Sequence, residues 1–150
     1  MSLGLYSRYL NQLLAILFLT GFVCFTNAQE NINKKQVVGF ACYFDGKPSK
    51  TVEKYTLKLE NKKYQWISRR LDSDNNAEKY LSVLSLENLS NLGNYKLSKK
   101  EIAIIQEVKN SKELVSVCSG CSYFQKVCLK DMFTVEMRTM STNWLKNILK

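Results

Sequence analysis

Apolar residues crowd the first 25 positions of the chain and then thin into short periodic sets. Leu13 opens an apolar run that continues to Phe25, with Thr20 and Gly21 inside it. At 13 residues the run is shorter than the ~20 that span a bilayer as a helix. No acidic residue precedes it, and Arg8 is its one flanking charge. Thr26-Asn27-Ala28 places small residues at the −3 and −1 positions that a signal peptidase requires. This order of segments predicts a secretory signal peptide over residues 1–28, cut between Ala28 and Gln29. An uncleaved membrane anchor is the alternative. After processing, no stable membrane span is expected, and residues 29–150 fit one small helical domain.

Downstream, the period of the apolar residues changes. Residues 29–36 are polar and read as a leader. Val37 to Phe44 is a short apolar run that periodicity alone leaves open between strand and helical turn. Asp45-Gly46-Lys47-Pro48 reads as a turn. Val52, Tyr55 and Leu59 then recur at spacings of three and four, predicting a helix over 49–60. Tyr64, Ile67 and Leu71 predict a second, short helix. Asp72 to Asn76 breaks it, and Asn75 with Glu78 offers a capping pair for the next. That next helix carries Ala77, Tyr80, Leu81 and Leu84, widened by Val83, Leu86, Leu89 and Leu92. So broad an apolar arc predicts packing on more than one side. Gly93-Asn94 ends it. Ser98-x-x-Glu101 is a capping box opening a helix to about Asn110, with Ile102, Ile104, Ile105 and Val108 inward. Glu113 to Tyr123 reads as a loop or short extended segment, and a last helix is expected around 142–149. The predicted fold class is all-α or α-dominated: an irregular bundle of short antiparallel helix pairs with a Cys-containing C-terminal loop.

The stretch from Lys62 to Leu92 resembles a HEAT-type helical repeat. A helix ending in leucine (Ile67–Leu71), an Asp-rich turn (Asp72–Asn76) and a leucine-rich second helix opening with alanine (Ala77–Leu92) carry the resemblance. The proline often found in the first helix and the arginine near the start of the second are missing, and no second copy follows at a fixed period. The resemblance implies a protein-binding scaffold rather than an enzyme.

Cysteine changes the picture most. Cys24 leaves with the signal peptide, and Cys42, Cys118, Cys121 and Cys128 remain. Four cysteines in an exported chain predict disulfides without free thiols. Cys121 is the simplest partner for Cys118, with Cys42 and Cys128 open as alternatives. Four thiolates could instead hold zinc, but a ribbon needs two Cys-x-x-Cys knuckles and only Cys118–Cys121 is present. No metal or cofactor is therefore expected. The same pair is the basis of an alternative function, thiol-disulfide exchange, but the βαβ context of such enzymes is missing. Asp72-x-Asp74-x-Asn76 begins like a calcium loop, yet Ala77 and Val83 stand where glycine and glutamate are required. Asn88-Leu89-Ser90 is a glycosylation sequon inside a helix. The chain lacks histidine, the commonest general base and metal ligand. No nucleophile-elbow, Walker or zincin pattern occurs, so nothing supports an enzyme.

Charge supplies the remaining signal. Removal of residues 1–28 takes away Arg8 alone, leaving 21 Lys+Arg against 13 Asp+Glu, a net +8. Export argues against nucleic acid as the ligand. An acidic protein or another anionic envelope component is the expected partner. Lys50, Lys54 and Lys58 recur every four residues and line one face of the 49–60 helix, the candidate binding surface. The expected function is that of a small exported binding protein, periplasmic or secreted, with an immunity-type role as its analogue. A structural envelope component is a further alternative.

Overall fold

The computed structural model describes residues 33–42, 44–120 and 123–149. The segment expected to be a signal peptide, with its expected Ala28–Gln29 cleavage site, and Cys121 lie outside these residues. Among the described residues, no helix is long and apolar enough to cross a membrane.

Helix α1 spans Lys50–Glu60. The Ser49 hydroxyl caps it by accepting the Val52 amide, and Val52, Tyr55 and Leu59 bury the face that their spacing foretells. Helix α2, Tyr64–Ser68, runs into a 3-10 turn, Arg69–Asp72, and the two bury Ile67 and Leu71. Helix α3, Asn76–Asn91, is the centre of the molecule. Its buried residues include Ala77, Tyr80, Leu81, Val83, Leu84, Leu86 and Leu89, which cannot share one stripe. They do not need to, because α3 packs on α1, α2 and the sheet, and on two later helices, α4 (Lys99–Asn110) and α5 (Val135–Ile148). Each fully buried Leu or Val here contributes roughly 1.5–3 kcal/mol. Even Ser82 and Ser85 are covered, satisfied by Tyr55 and by the Leu81 carbonyl.

The all-α expectation is overturned by a three-stranded mixed sheet. Strand β1 (Val37–Val38) pairs in parallel with β2 (Leu114–Ser119), and β2 pairs antiparallel with β3 (Tyr123–Cys128). The open choice at residues 37–44 therefore resolves as a two-residue strand followed by a turn. Of the loop or short extended segment expected at Glu113–Tyr123, the extended alternative holds: it contains β2, which pairs with β3. The physical reason is alternation. Val115 and Val117 point into the core while Leu114, on the opposite face, is exposed, so one face of β2 closes over α3. The Ser, Cys and Gly residues of the segment dilute that signal in sequence.

Three smaller expectations also change. Glu78 does not reach back to the Asn75 amide, which donates to the Ser73 hydroxyl; Asn75 alone caps α3, accepting from the Ala77 amide. Ile102 does not face inward but is 47% exposed, while Ile105 and Val108 are buried and Ile104 is half-buried. Helix α5 begins at Val135, well before the expected 142. Leu145 is buried in the core and Trp144 packs against it. The Trp144 indole N–H donates to Thr56 Oγ1 at 2.8 Å, anchoring α5 against α1.

Candidate functional site

The lysine row begins where Ser49 starts α1. Lys50, Lys54 and Lys58 do fall on one side of the helix, but the structure gives them different work. Lys50 is exposed. Lys54 donates to Glu78 Oε1 at 2.8 Å. Lys58 lies over the Trp66 ring, 5.4 Å from its centroid.

Glu78, in the first turn of α3, is the hub beneath this face and only 7% exposed. Its second oxygen accepts from Ser73 Oγ at 2.8 Å and faces Arg70 Nη1 at 3.5 Å. Burial alone would favour the neutral acid, but the hydrogen bonds from Lys54 and Ser73 and the charges of Lys54 and Arg70 outweigh it. The carboxyl is held below its ordinary value. Beside it, Tyr55 donates to the Glu78 carbonyl at 2.9 Å and shares a hydrogen bond with Ser82. Trp66 packs edge-on to Tyr55, with Lys54 at 4.8 Å and Arg70 at 5.0 Å from its centroid. Three cations thus share one indole, an attraction that strengthens as water is excluded. Lys54 is therefore structural as well as part of the surface.

A cleft of about 410 Å³ opens next to this hub, lined by Lys35, Lys50, Thr51, Lys54, Asn75 and Glu78. Lys35 comes from a 3-10 turn, Lys34–Gln36, ahead of β1. Two side chains hold its carbonyl: Thr51 Oγ1 at 3.1 Å and Asn75 Nδ2 at 2.8 Å. Among the described residues, neither the Lys35 nor the Lys50 ammonium makes an ion pair. The cleft thus carries three ammonium groups against one carboxylate that Lys54, Ser73 and Arg70 already satisfy.

Sequence reasoning finds the lysines of α1 but misses Lys35, Trp66 and Arg70, and it reads Glu78 only as a cap. Lys35 offers no local signal, being brought to the cleft by bonds that span 16 and 40 residues.

Cys118 is in a disulfide, as expected, and its partner is one of the alternatives that the sequence left open. Cys118 is bonded to Cys42, with Cα atoms 5.6 Å apart, rather than to Cys121, its simplest partner in sequence. The parallel β1–β2 pairing is the cause: it carries the chain past β1 alongside the end of β2, where Gly120 donates to the Ala41 carbonyl at 3.0 Å. Gly39 makes room, since a Cβ there would overlap both sulfurs and the Cys118 carbonyl. Both sulfurs' residues are buried. Cys128 is a free, half-buried thiol, contrary to the expectation of none. Among the described residues, no group of three Cys, Asp or Glu could hold a metal ion. The Asp72–Asn76 turn serves as a helix junction, with Ser73 and Asn75 engaged by α3 and Asn76 donating to the Leu114 carbonyl. Comparison with protein-family models, with curated proteins and with solved structures finds no match for this chain.

Proposed function

We propose that this chain is an exported binding protein that engages an acidic partner through the α1 lysine face and the cleft beside it, a role of the immunity type. The observation that carries the reading is the Lys35 and Lys50 ammonium pair at one cleft, without an ion-pair partner among the described residues and adjoining the cations gathered on Trp66. Charges without internal partners do little for folding but speed encounter with an oppositely charged surface. The disulfide agrees with an oxidising compartment, where such bonds persist. The alternative of thiol-disulfide exchange lacks a comparable feature, because the Cys118 sulfur that would react is bonded to Cys42 and covered.

A fluorescent oligoglutamate peptide provides the test. A Lys35→Glu/Lys50→Glu variant is expected to weaken its binding about tenfold at low ionic strength and to flatten the salt dependence. Its melting temperature should stay within about 2 °C of the parent, as for exposed charges generally. Lys54→Glu should behave differently, because it sets a carboxylate against the buried Glu78. It is expected to cost about 1–2 kcal/mol of stability, read from urea denaturation. Undiminished peptide binding by the Lys35/Lys50 variant would overturn the proposal.

A further inference from the structure

A second groove, of about 210 Å³, borders the first turn of α3, and its charge is opposite to that of the lysine cleft. Asp72, Lys79, Glu107 and Glu113 line it together with Ile104. Lys79 pairs with Glu113 at 3.0 Å. The exposed Asp72 and Glu107 carboxylates make no ion pair among the described residues. The lysine cleft has the converse surplus in Lys35 and Lys50.

Three contacts at the start of α3 join the two hollows into one face. Asn75 Nδ2 donates to the Lys35 carbonyl at 2.8 Å, Asn76 Nδ2 to the Leu114 carbonyl at 3.0 Å, and Lys79 Nζ to Glu113 Oε2 at 3.0 Å. Basic, apolar and acidic groups therefore follow one another along this helix end. Leu114, the apolar member, is 54% exposed.

We propose that this face pairs with the same face of a second copy of the chain, the two related by a two-fold axis near Leu114. The proposal rests on the reading that the lysine cleft takes acidic groups, and it names the second copy's groove as one source of them. A face whose halves carry opposite charge is complementary to itself under a two-fold rotation, which sets each cleft against the other copy's groove. The counts match, because Lys35 and Lys50 on one copy meet Asp72 and Glu107 on the other. Leu114 supplies the apolar contact inside a polar rim, the usual layout of an interface. The chain's net charge of +9 repels the two copies elsewhere, so the dimer is weak and depends on this local reversal of sign.

Sedimentation velocity of the purified chain provides the test. Dimers should form with rising concentration at about 0.01 M salt and weaken about tenfold or more at about 1 M, where the screening length falls from about 30 to about 3 Å. Lys35→Glu/Lys50→Glu makes both halves of the face acidic, and Asp72→Lys/Glu107→Lys makes both basic. Each variant alone should be monomeric, and their equimolar mixture should dimerise, because every cleft then faces a groove of opposite sign. Leu114→Ser changes no charge and should weaken the parent dimer about fivefold through lost apolar contact, a measurement that stands even where a charge variant fails to fold. A monomeric parent at low salt, dimers indifferent to salt or to Leu114→Ser, growth beyond dimers, or folded charge variants that ignore each other when mixed would each overturn the proposal. Oligoglutamate binding separates this failure from that of the underlying reading. A monomeric parent that still binds the peptide through Lys35 and Lys50 sinks the dimer alone, whereas peptide binding indifferent to those lysines sinks the reading of the cleft as well.

Discussion

Glu101 accepts from Ser68 Oγ at 2.5 Å, Tyr95 OH at 2.6 Å and the Ser98 amide at 2.7 Å. Burial opposes its ionisation, but these donors prevail and bring the carboxyl from 4.5 down to about 2. A folded value below the unfolded one stabilises the fold fully above pH 4.5 and loses that contribution as pH falls towards about 2. The contribution is on the order of 2–3 kcal/mol. Urea denaturation of the parent should therefore weaken over that acid window, and Glu101→Gln should be less stable at pH 7 with a flatter acid limb. A variant with the parent's full acid dependence would contradict this account. Glu78 shares the sign of the shift, so the limb should flatten without vanishing. Half of this arrangement is legible in sequence: Ser98-x-x-Glu101 announces the capping box. Ser68 and Tyr95 are not, because α2 and the α3–α4 loop reach Glu101 only in the folded chain.

Helix ends show how far local signals carry at the scale of elements. At the end of α3 the Gly93 amide bonds to Ser90 and the Asn94 amide to Leu89, with Gly93 at φ 73°. At the end of α1 the same pair of bonds recurs, Lys62 to Leu59 and Lys63 to Lys58, but the left-handed position is held by Lys62 at φ 53°. Glycine suits this conformation and a lysine Cβ does not. Lys62→Gly is expected to raise stability by about 0.5–1 kcal/mol, read as a higher urea midpoint at unchanged slope. A lowered midpoint would show that the unfolded-state entropy of glycine dominates. Gly93-Asn94 is readable as a stop signal, whereas Asn61-Lys62 is not. The strands escape the same kind of reading. Val115 and Val117 alternate like a strand, but six residues of β2 make too short a window to separate from a loop rich in Ser and Cys.

For the whole molecule, the Cys42–Cys118 bond closes a separation of 76 residues and ties the turn after β1 to the hairpin. Loop-closure entropy for a ring of that size predicts a contribution of up to about 4–5 kcal/mol. A Cys42→Ala/Cys118→Ala variant should lose most of that, as measured by denaturation under non-reducing conditions. Cys128→Ser, which removes a thiol outside the bond, should remain close to the parent. A double variant as stable as the parent would mean that β1 holds its place through its pairing with β2 and through Ser49, Thr51 and Asn75, which bond the Val37 and Lys35 carbonyls. Legible in the chain from local pattern is what neighbours within four residues decide: the helices α1 to α4, the caps at Asn75 and Ser98, and the breadth of α3. Apolar spacing and side-chain capping act over one turn of backbone, so one turn of sequence reveals them. Folding settles which distant pieces meet: β1 with β2, Cys42 with Cys118, Lys54 with Glu78, Lys35 with the cleft. Such pairings depend on which buried surfaces and unsatisfied polar groups remain once the helices have packed, and no local stretch of sequence carries that information.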